Sequence, residues 1–427
     1  MKKITWLLPL VVITISVNAQ KKEDRKTIGN LQSHITFLSS NKLESRSTGA
    51  PGEQLAANYL AEQMKNSGLT PMGNDGYLQA FTVKESREPS ANCSVTIDQQ
   101  TLKAGRDFLP LPFSAQKTAK GEVITGVNEP DNIWFINMED IDSASQLTPL
   151  QQCLRLAKEA EKAGATGVIF YNGKVDAPEV QKWLQEATPA LSIPAVWVND
   201  ATSKLLSADD ANGFQVNIRV AFDNIKRNGT NVIGYINNKA DRTIILGAHY
   251  DFPGWDSSVQ SSNNASGTAA LLELARLLRN SSLHNNNYLV VAFSGKEQNL
   301  AGSNYFAAHP TIDLSTVNYM INLDGIGQLS PDQPLQVNGS SSSDDWTGIL
   351  QQVSPEGFRL NVSNTAGVSD HAAFFKKHIP VLSFSTNSLV PENNKINYDG
   401  TLGVIKLVYR IIDKTNSKDK LAFTSAQ

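Results

Sequence analysis

The stretch that decides the fold is RTIILGAHYD (residues 242–251), in which an apolar run leads directly into polar side chains. A helical segment, TAALLELARLLRN (residues 268–280), follows it, and a second apolar run, YLVVAFSG (residues 288–295), follows the helix. Continuous apolar strands separated by helices are typical of a largely parallel sheet that is buried on both faces. We therefore predict an α/β fold for this part of the chain.

The same alternation continues on both sides of this stretch. The other segments are TNVIGYI (residues 230–236), VNYMINLDG (317–325), IPVLSFS (379–385) and a final helix through GVIKLVYRIID (403–413). Strands and helices thus alternate from about residue 228 to the C-terminal helix, and we expect the strands to form one sheet.

A middle region, residues 103–224, is predicted to form a small α/β unit of its own. It contains the short strand WFINM (134–138), an alanine-rich helix QQCLRLAKEAEKAGA (151–165) and the strand GVIFYN (167–172). We expect the helix to pack in the core of this unit rather than to bind a partner.

Ionisable side chains collect at the ends of three predicted strands. His249 and Asp251 end one strand, Lys296 and Glu297 follow another, and Asp324 ends a third. The carboxyl edge of an open α/β sheet is where ligands bind, and imidazole with carboxylates is a ligand set that suits zinc. A single histidine at a strand end is most often structural, whereas three such strand ends indicate a functional site.

The composition is that of a globular protein and excludes one class of partner. The 427 residues are 40% hydrophobic and 19% charged, which is enough apolar material for two domains. The formal net charge is −3 and no basic run is present, so nothing in the charge favours nucleic acid as a partner. Cys93 and Cys153 are compatible either with a disulfide or with two free thiols.

The first 19 residues are predicted to be a cleaved secretory signal. Two lysines precede an apolar stretch (residues 4–15), and VNA (residues 17–19) precedes Gln20. A membrane anchor is the alternative, but the apolar stretch is short for a bilayer span. We therefore expect an exported protein in the periplasm, at the cell surface or outside the cell, with membrane contact only through the cleaved signal.

Several motifs along the chain carry a resemblance to a known family. They are AHYD (residues 248–251), NASG (264–267), NLD (322–324) and SDH (369–371). In this order they resemble the co-catalytic dizinc exopeptidases typified by bacterial leucyl aminopeptidase and aminopeptidase Y, to which glutaminyl cyclase is related. The N-terminal stretch LESRSTGAPGE (residues 43–53) is similar to the family's opening, and the middle unit resembles the protease-associated domain that is often inserted in these enzymes.

The resemblance implies a zinc-exopeptidase-like α/β/α sandwich with a mainly parallel central sheet. It also implies a metal-dependent hydrolase, an aminopeptidase. The implied organisation is a signal peptide (1–19), an N-terminal part of the peptidase-like domain (20–102), the inserted protease-associated domain (103–224) and the main part of the peptidase-like domain (225–427).

The resemblance further implies roles for the residues at the strand ends. His249 would bind one zinc ion, and Asp251 would belong to the catalytic set by orienting that histidine from behind. Glu297 and Asp324 match further zinc ligands of the family. His371 matches a residue that supports the site without binding metal.

Three positions depart from the family's pattern. The carboxylate that bridges the two metals is replaced by Ser262, and a neutral hydroxyl cannot replace a carboxylate shared between two cations. The general base is replaced by Lys296, and a protonated ammonium has no lone pair with which to accept a proton. The last histidine ligand is absent, with Leu389 as its nearest equivalent. These departures predict a pseudopeptidase that retains at most one weakly bound zinc ion, or none.

Two interpretations of function stay open at this point. The first is an impaired relative that binds a peptide or another protein in the inherited cleft. The second is an active metal-dependent aminopeptidase, or another hydrolase, with a rearranged single-metal site made by His249, Glu297 and Asp324. Like charges that share a dry site are costly unless a cation lies among them. We therefore expect the Lys296 ammonium to lie among the carboxylates, and the alternative is that it turns to solvent.

Overall fold

The computed structural model describes residues 8–43, 45–83, 86–124, 126–138, 146–171, 179–180, 183–184, 186–207, 213–252, 264–329, 334–353, 355, 357–365, 367–386 and 396–424. The chain divides into two compact units. The first comprises Met1–Val83 with Arg227–Gln427, and the second comprises Lys84–Lys226.

The first unit begins with helices and continues into two short strands. Its first elements are helix α1 (Leu8–Leu38), helix α2 (Pro51–Asn66), strand β1 (Thr70–Pro71) and strand β2 (Leu78–Thr82). Proline in the first turn of α2 and Lys65 in its last turn both favour that helix, through the pre-set backbone angle and the helix dipole. Helix α1 includes residues 8–19 of the predicted signal, whose cleavage stays a prediction. Within the described ranges, no helix is long and apolar enough to cross a membrane.

The second unit is built mainly from short strands. Its elements are β3 (Ser86–Pro89), β4 (Ser94–Ile97), β5 (Gln100–Leu102), β6 (Phe108–Pro110), β7 (Thr118–Val123), β8 (Ile133–Asn137), α3 (Pro149–Lys162), β9 (Gly167–Tyr171), β10 (Ala195–Val198), α4 (Asp200–Leu206), β11 (Phe214–Arg219) and β12 (Phe222–Ile225). They form a sheet in the order β6-β10-β9-β8, a second sheet in the order β5-β4-β11-β7, and the pair β3-β12. Helix α3 begins with a capping box in which Thr148 and Gln151 exchange hydrogen bonds.

Strands β4 and β5 precede residue 103, where the sequence predicted this unit to begin. Val95 and Ile97 of β4 are buried and alternate with half-buried neighbours, and β4 pairs with β11 in antiparallel register. Cys93 and Cys153 are both free and buried. Burial raises the pKa of Cys153 to about 12, which keeps that thiol protonated at neutral pH.

The rest of the first unit alternates strands and helices. Its elements are β13 (Asn228–Ile236), β14 (Thr243–His249), α5 (Ala265–Arg279), β15 (Asn287–Phe293), α6 (Ala301–Ala308), β16 (Val317–Asp324), β17 (Leu335–Asn338), α7 (Asp345–Gln352), β18 (Leu360–Ser363), α8 (His371–Phe375), β19 (Val381–Thr386) and α9 (Tyr398–Asn416). The sheet has the order β1-β13-β15-β14-β16-β19-β17-β18, with β2 also paired to β13. The central strands β15, β14, β16 and β19 are mutually parallel, while β13 and β17 flank them in antiparallel register. The predicted α/β fold with a mainly parallel central sheet is therefore confirmed.

Helices cover both faces of this sheet. Ile244 of β14 belongs to a buried cluster that includes Leu271 of α5. Its neighbour Ile245 belongs to a second cluster, which includes Phe306 of α6 and Phe374 of α8. Successive residues of one strand thus pack against helices on opposite sides. Burial of each such side chain contributes about 1.5–3 kcal/mol relative to leaving it exposed.

The parallel arrangement brings the ends of the central strands to one edge. His249, the last residue of β14, pairs with Phe293, the last residue of β15. Asp324, the last residue of β16, pairs with Ser385 near the end of β19. The polar residues that end or follow these strands therefore lie at the carboxyl edge, where ligands bind in sheets of this kind.

Candidate functional site

The imidazole of His249 is held in a fixed direction at the end of β14. The carbonyl oxygen of His249 accepts hydrogen bonds from Asn264 Nδ2 (3.0 Å) and Thr268 Oγ1 (2.9 Å), at the start of α5. Its ring atom Nδ1 lies 3.4 Å from Asp251 Oδ1 and 3.3 Å from the Asp251 carbonyl oxygen. Asp251 therefore orients the ring so that Nε2 faces Asp324, whose Oδ1 is 3.3 Å away.

Lys296 reaches into the same place from the turn after β15. Its Nζ donates to both carboxylate oxygens of Asp324, at 2.9 Å to Oδ1 and 2.8 Å to Oδ2. The same Nζ lies 3.1 Å from His249 Nε2. The Lys296 side chain is 21% exposed, so it points into the site and not into solvent. His249, Lys296 and Asp324 together form one ion cluster.

The turn that carries Lys296 is tied to the strand beside it. The Lys296 N–H donates to Asp251 Oδ2 at 3.0 Å, so the same carboxylate contacts both the imidazole and this turn. Gly295 has φ of 74°, in the left-handed region that favours glycine. The N–H of Leu300 closes the turn onto the Lys296 carbonyl oxygen at 3.0 Å. The backbone therefore fixes the point from which the lysine side chain extends.

Asp324 has a hydrogen-bond partner in every direction. Its Oδ1 contacts Lys296 and His249, and its Oδ2 contacts Lys296 and the hydroxyl of Ser369, which donates at 2.8 Å. Ser369 is itself held by Asn322 Nδ2 at 3.1 Å. An ionised carboxylate offers about four lone-pair sites, so the donors of this chain use all of them.

Asp324 stabilises the positive charge on both His249 and Lys296, while these two cations oppose each other. Burial and the Lys296 ammonium lower the pKa of His249, but Asp251 and Asp324 outweigh them and raise it to about 9. Burial also lowers the pKa of Lys296, but Asp324 raises it above its ordinary value. Burial raises the pKa of Asp324, whereas His249 and Lys296 lower it far more. At neutral pH the cluster therefore holds an imidazolium, an ammonium and a carboxylate.

Asp370 is a further ionisable residue of the site, and the sequence assigned it no role. It is fully buried, and burial raises its pKa to about 6, although His249, Ser303 and Lys296 act in the opposite direction. The signal for it was present in the motif SDH (residues 369–371), of which only the histidine received a function. Ser369, which donates to Asp324, was missed for the same reason.

Of the other predicted site residues, two are described and two lie outside the described residues. Glu297 is half-buried, and its negative charge helps to raise the pKa of Lys296. His371 is buried at the start of α8. Ser262 and Leu389 lie outside the described residues, so the departures at these two positions rest on the sequence.

An N-terminal segment also supports the site, although the sequence assigned no chemistry to it. The buried Arg46 donates through Nε to the Tyr250 carbonyl oxygen at 2.6 Å and through its guanidinium to the Leu38 carbonyl oxygen. The Phe252 N–H donates back to the Arg46 carbonyl oxygen at 3.0 Å. Burial lowers the pKa of Arg46 to about 10 against the opposing effect of Asp251, so the guanidinium is still charged at neutral pH.

Glu53, from the first turn of α2, is the second N-terminal contribution. Its carboxylate accepts hydrogen bonds from Ser294 Oγ (2.5 Å), the Gly49 N–H (2.8 Å) and the Thr230 N–H (2.9 Å), and from the Tyr250 hydroxyl (3.3 Å). Burial raises the pKa of Glu53 above its usual range, while these hydrogen bonds counteract the shift. This Glu53 network joins α2 to strands β13 and β14 and to the end of β15.

The residues of the site do not fit a resident zinc ion. Across the described ranges, no group of three or more His, Cys, Asp and Glu side chains is arranged to hold a metal. His249 Nε2 and both oxygens of Asp324, which the resemblance assigns to metal, face the Lys296 ammonium instead.

Comparison with known proteins agrees with the fold. Peptidase family M28 matches residues 231–402. Aminopeptidase YwaD of Bacillus subtilis (strain 168) is 25% identical over 403 residues, which cover 89% of this chain and 81% of that protein.

Two solved structures of aminopeptidases share the fold at lower identity. BSAP, a zinc aminopeptidase from Bacillus subtilis, has 19% identity and a TM-score of 0.64, covering 93% of this chain and 98% of its own. An aminopeptidase from Aneurinibacillus sp. strain AM-1 has 21% identity and a TM-score of 0.58, covering 94% of this chain and 95% of its own. Residues 231–402 therefore match peptidase family M28, and the chain has the fold of these zinc aminopeptidase-type structures.

Proposed function

We propose that this chain is an exported, catalytically impaired relative of the zinc aminopeptidases that binds a peptide or another protein in the inherited cleft. One observation carries the proposal. The residue in the position of the general base is a lysine whose ammonium is engaged with both oxygens of Asp324. Because its pKa is raised, it is protonated at neutral pH and cannot accept a proton from water.

Two further departures in the sequence point the same way. Ser262 stands where the family's bridging carboxylate is expected, and Leu389 is the nearest equivalent of its last histidine ligand. A single departure can follow from a shifted alignment. Loss of the base, the bridge and a ligand in one chain is better explained by a site that no longer performs the original chemistry.

The ion cluster supports a binding role because it preserves the edge of the sheet without metal. Buried like charges destabilise a site unless opposite charges balance them. Here Asp324 lies between the Lys296 ammonium and the His249 imidazole, and Asp251 contacts both His249 and the turn of Lys296. The carboxyl edge, where ligands bind in such sheets, is thereby kept in a defined shape.

Hydrolysis of leucine p-nitroanilide tests the loss of catalysis. The full chain is assayed with and without added zinc, and aminopeptidase YwaD serves as the active control. We expect turnover no higher than the buffer blank under both conditions. Chelator-sensitive turnover that disappears in His249→Ala would overturn the proposal and support a single-metal hydrolase.

Binding and export are tested separately. A fluorescently labelled library of short peptides with free amino termini is titrated with the chain in the presence of a chelator. We expect saturable binding of a subset of peptides, and no binding by any member would contradict a peptide-binding role. N-terminal sequencing of protein recovered from outside the cytoplasm is expected to start at Gln20, and a mature chain that keeps residues 1–19 would contradict signal cleavage.

A further inference from the structure

The lone pairs that a metal ion would need at this site are already in use. Asp324 accepts two hydrogen bonds from Lys296, one contact from His249 and one hydrogen bond from Ser369. This number equals the acceptor capacity of an ionised carboxylate, which is about four. A metal ion could bind Asp324 only by displacing one of these donors.

The Lys296 ammonium also occupies the position where such an ion would have to lie. Its Nζ is 2.9 Å and 2.8 Å from the two oxygens of Asp324 and 3.1 Å from His249 Nε2. Zinc contacts oxygen and nitrogen ligands at about 2.0–2.2 Å, so an ion that shared these three atoms would overlap the ammonium. The two cations would also repel each other in a largely desolvated place.

The ammonium is held there by more than one contact. The backbone of Lys296 is fixed by Asp251 and by the turn at Gly295. The side chain is only 21% exposed, and its partner Asp324 is 19% exposed. Swinging the lysine out to admit a metal ion would therefore leave Asp324 without the closer of its two cations.

We propose that Lys296 is a built-in cation that takes the divalent-ion position between His249 and Asp324 and excludes zinc from it. This inference rests on the proposed function, and it assigns the exclusion to one side chain. It follows that His249 Nε2 and the Asp324 carboxylate, which face the ammonium, would be available to a divalent cation if the ammonium were removed. A neutral side chain at position 296 would open that position to a divalent cation.

Zinc binding by the full-length chain tests the inference without an activity measurement. Equilibrium dialysis against zinc followed by elemental analysis is performed on the natural chain, on Lys296→Gln, which removes the charge, and on Lys296→Arg, which keeps it. Lys65→Gln is the matched control because Lys65 is exposed on α2. We expect zinc to bind Lys296→Gln with a dissociation constant lower by about tenfold or more than in the other three proteins.

A second variant tests whether any added zinc affinity depends on Asp324. In Lys296→Gln combined with Asp324→Asn, the added zinc affinity is expected to disappear. An affinity of Lys296→Gln equal to that of the natural chain would overturn the inference. So would stoichiometric zinc on the natural chain that is lost in His249→Ala, and this measurement needs no folded Lys296 variant.

The outcome can be separated from that of the proposed function. A natural chain that binds no zinc at this site but hydrolyses leucine p-nitroanilide would contradict the proposed loss of catalysis and support the exclusion of zinc. A natural chain that binds zinc through His249 and shows no hydrolysis would contradict the exclusion of zinc and support the proposed loss of catalysis.

Discussion

Asp324 and Glu53 both lie near the ends of the central strands, but their carboxylates are held by different partners. Asp324 is surrounded by the ammonium of Lys296, the imidazole of His249 and one hydroxyl, and its pKa is lowered. Glu53 receives hydrogen bonds only from neutral groups, and its pKa is raised. Burial acts in the same direction on both, so the charge of the partners decides the outcome.

The comparison shows that the ion cluster is held together by opposite charges, whereas the Glu53 network is held together by hydrogen bonds from neutral groups. In the ion cluster each charged group depends on the others, so loss of one member leaves an uncompensated charge. In the Glu53 network the donors are backbone N–H groups and hydroxyls, which tolerate a neutral acceptor in place of the carboxylate. Substitutions in the two places are therefore expected to have different consequences.

The largest effect is expected from Asp324→Asn. The substitution keeps the size of the side chain but leaves His249 and Lys296 as neighbouring cations without their shared counter-charge. Breaking a buried ion pair from one side costs about 3–5 kcal/mol. Urea unfolding at pH 7 should show a loss of this size, and a loss below about 1 kcal/mol would mean that the cluster does not act as an electrostatic unit.

The next effect is a loss of stability at alkaline pH through His249. Its pKa is raised to about 9 in the folded chain, compared with about 6.5 for an unperturbed histidine. A raised histidine pKa stabilises the fold fully below the unfolded value, and this contribution is lost as the pH rises from about 6.5 through about 9. The difference corresponds to about 3 kcal/mol.

Urea unfolding across pH 6–10 measures this loss. In His249→Gln, the part of the pH dependence that falls between about 6.5 and 9 should be absent. An identical pH profile in the variant and the natural chain would show that His249 is not ionised in the folded protein. The lowered pKa of Asp324 acts at the other end, where its contribution is lost as the pH falls below the ordinary carboxyl range.

A smaller effect is expected from Glu53→Gln. Glutamine retains one acceptor oxygen but places an NH₂ group against donors such as the Gly49 and Thr230 N–H groups. Leaving buried donors unsatisfied costs about 1–3 kcal/mol. The free energy of unfolding in urea should fall by this amount, and a fall as large as that of Asp324→Asn would remove the distinction between the two carboxylates.

The smallest effect is expected from Asp24→Asn, which is a matched control for the Lys296–Asp324 pair. Asp24 and Lys406 form the same type of ion pair at 2.7 Å, but their side chains are 29% and 30% exposed. Pairs of this kind near the surface contribute about 0–1 kcal/mol. A loss above about 2 kcal/mol in urea unfolding would show that the free energy lost depends on ion pairing itself and not on the burial of the pair.

The polar residues at the ends of the central strands could be predicted from the sequence because the pattern that reveals them is local. His249 and Asp251 follow an apolar run, and Asp324 ends another, so a parallel sheet places all three at one edge. The residue type at position 296 was also readable from the sequence. In an isolated turn the Lys296 side chain could point either into the site or into solvent. The ion pair with Asp324 holds it in the site.

The supporting residues were not readable in the same way. Arg46 and Glu53 come from a stretch rich in helix breakers, and nothing local connects them to Tyr250 or Thr230. Asp370 stands in a motif, but its raised pKa depends on burial by surrounding elements. Such roles arise from atoms that are distant along the chain.

The sequence by itself determined the strand and helix alternation, the edge at which polar side chains gather and the presence of a lysine at that edge, because periodicity and residue type are local properties. Only the tertiary structure decided that Lys296 faces Asp324 and His249, and that an N-terminal arginine and glutamate secure the same edge. An ion pair depends on distances of about 3 Å between side chains from different strands. Packing of the whole unit sets those distances.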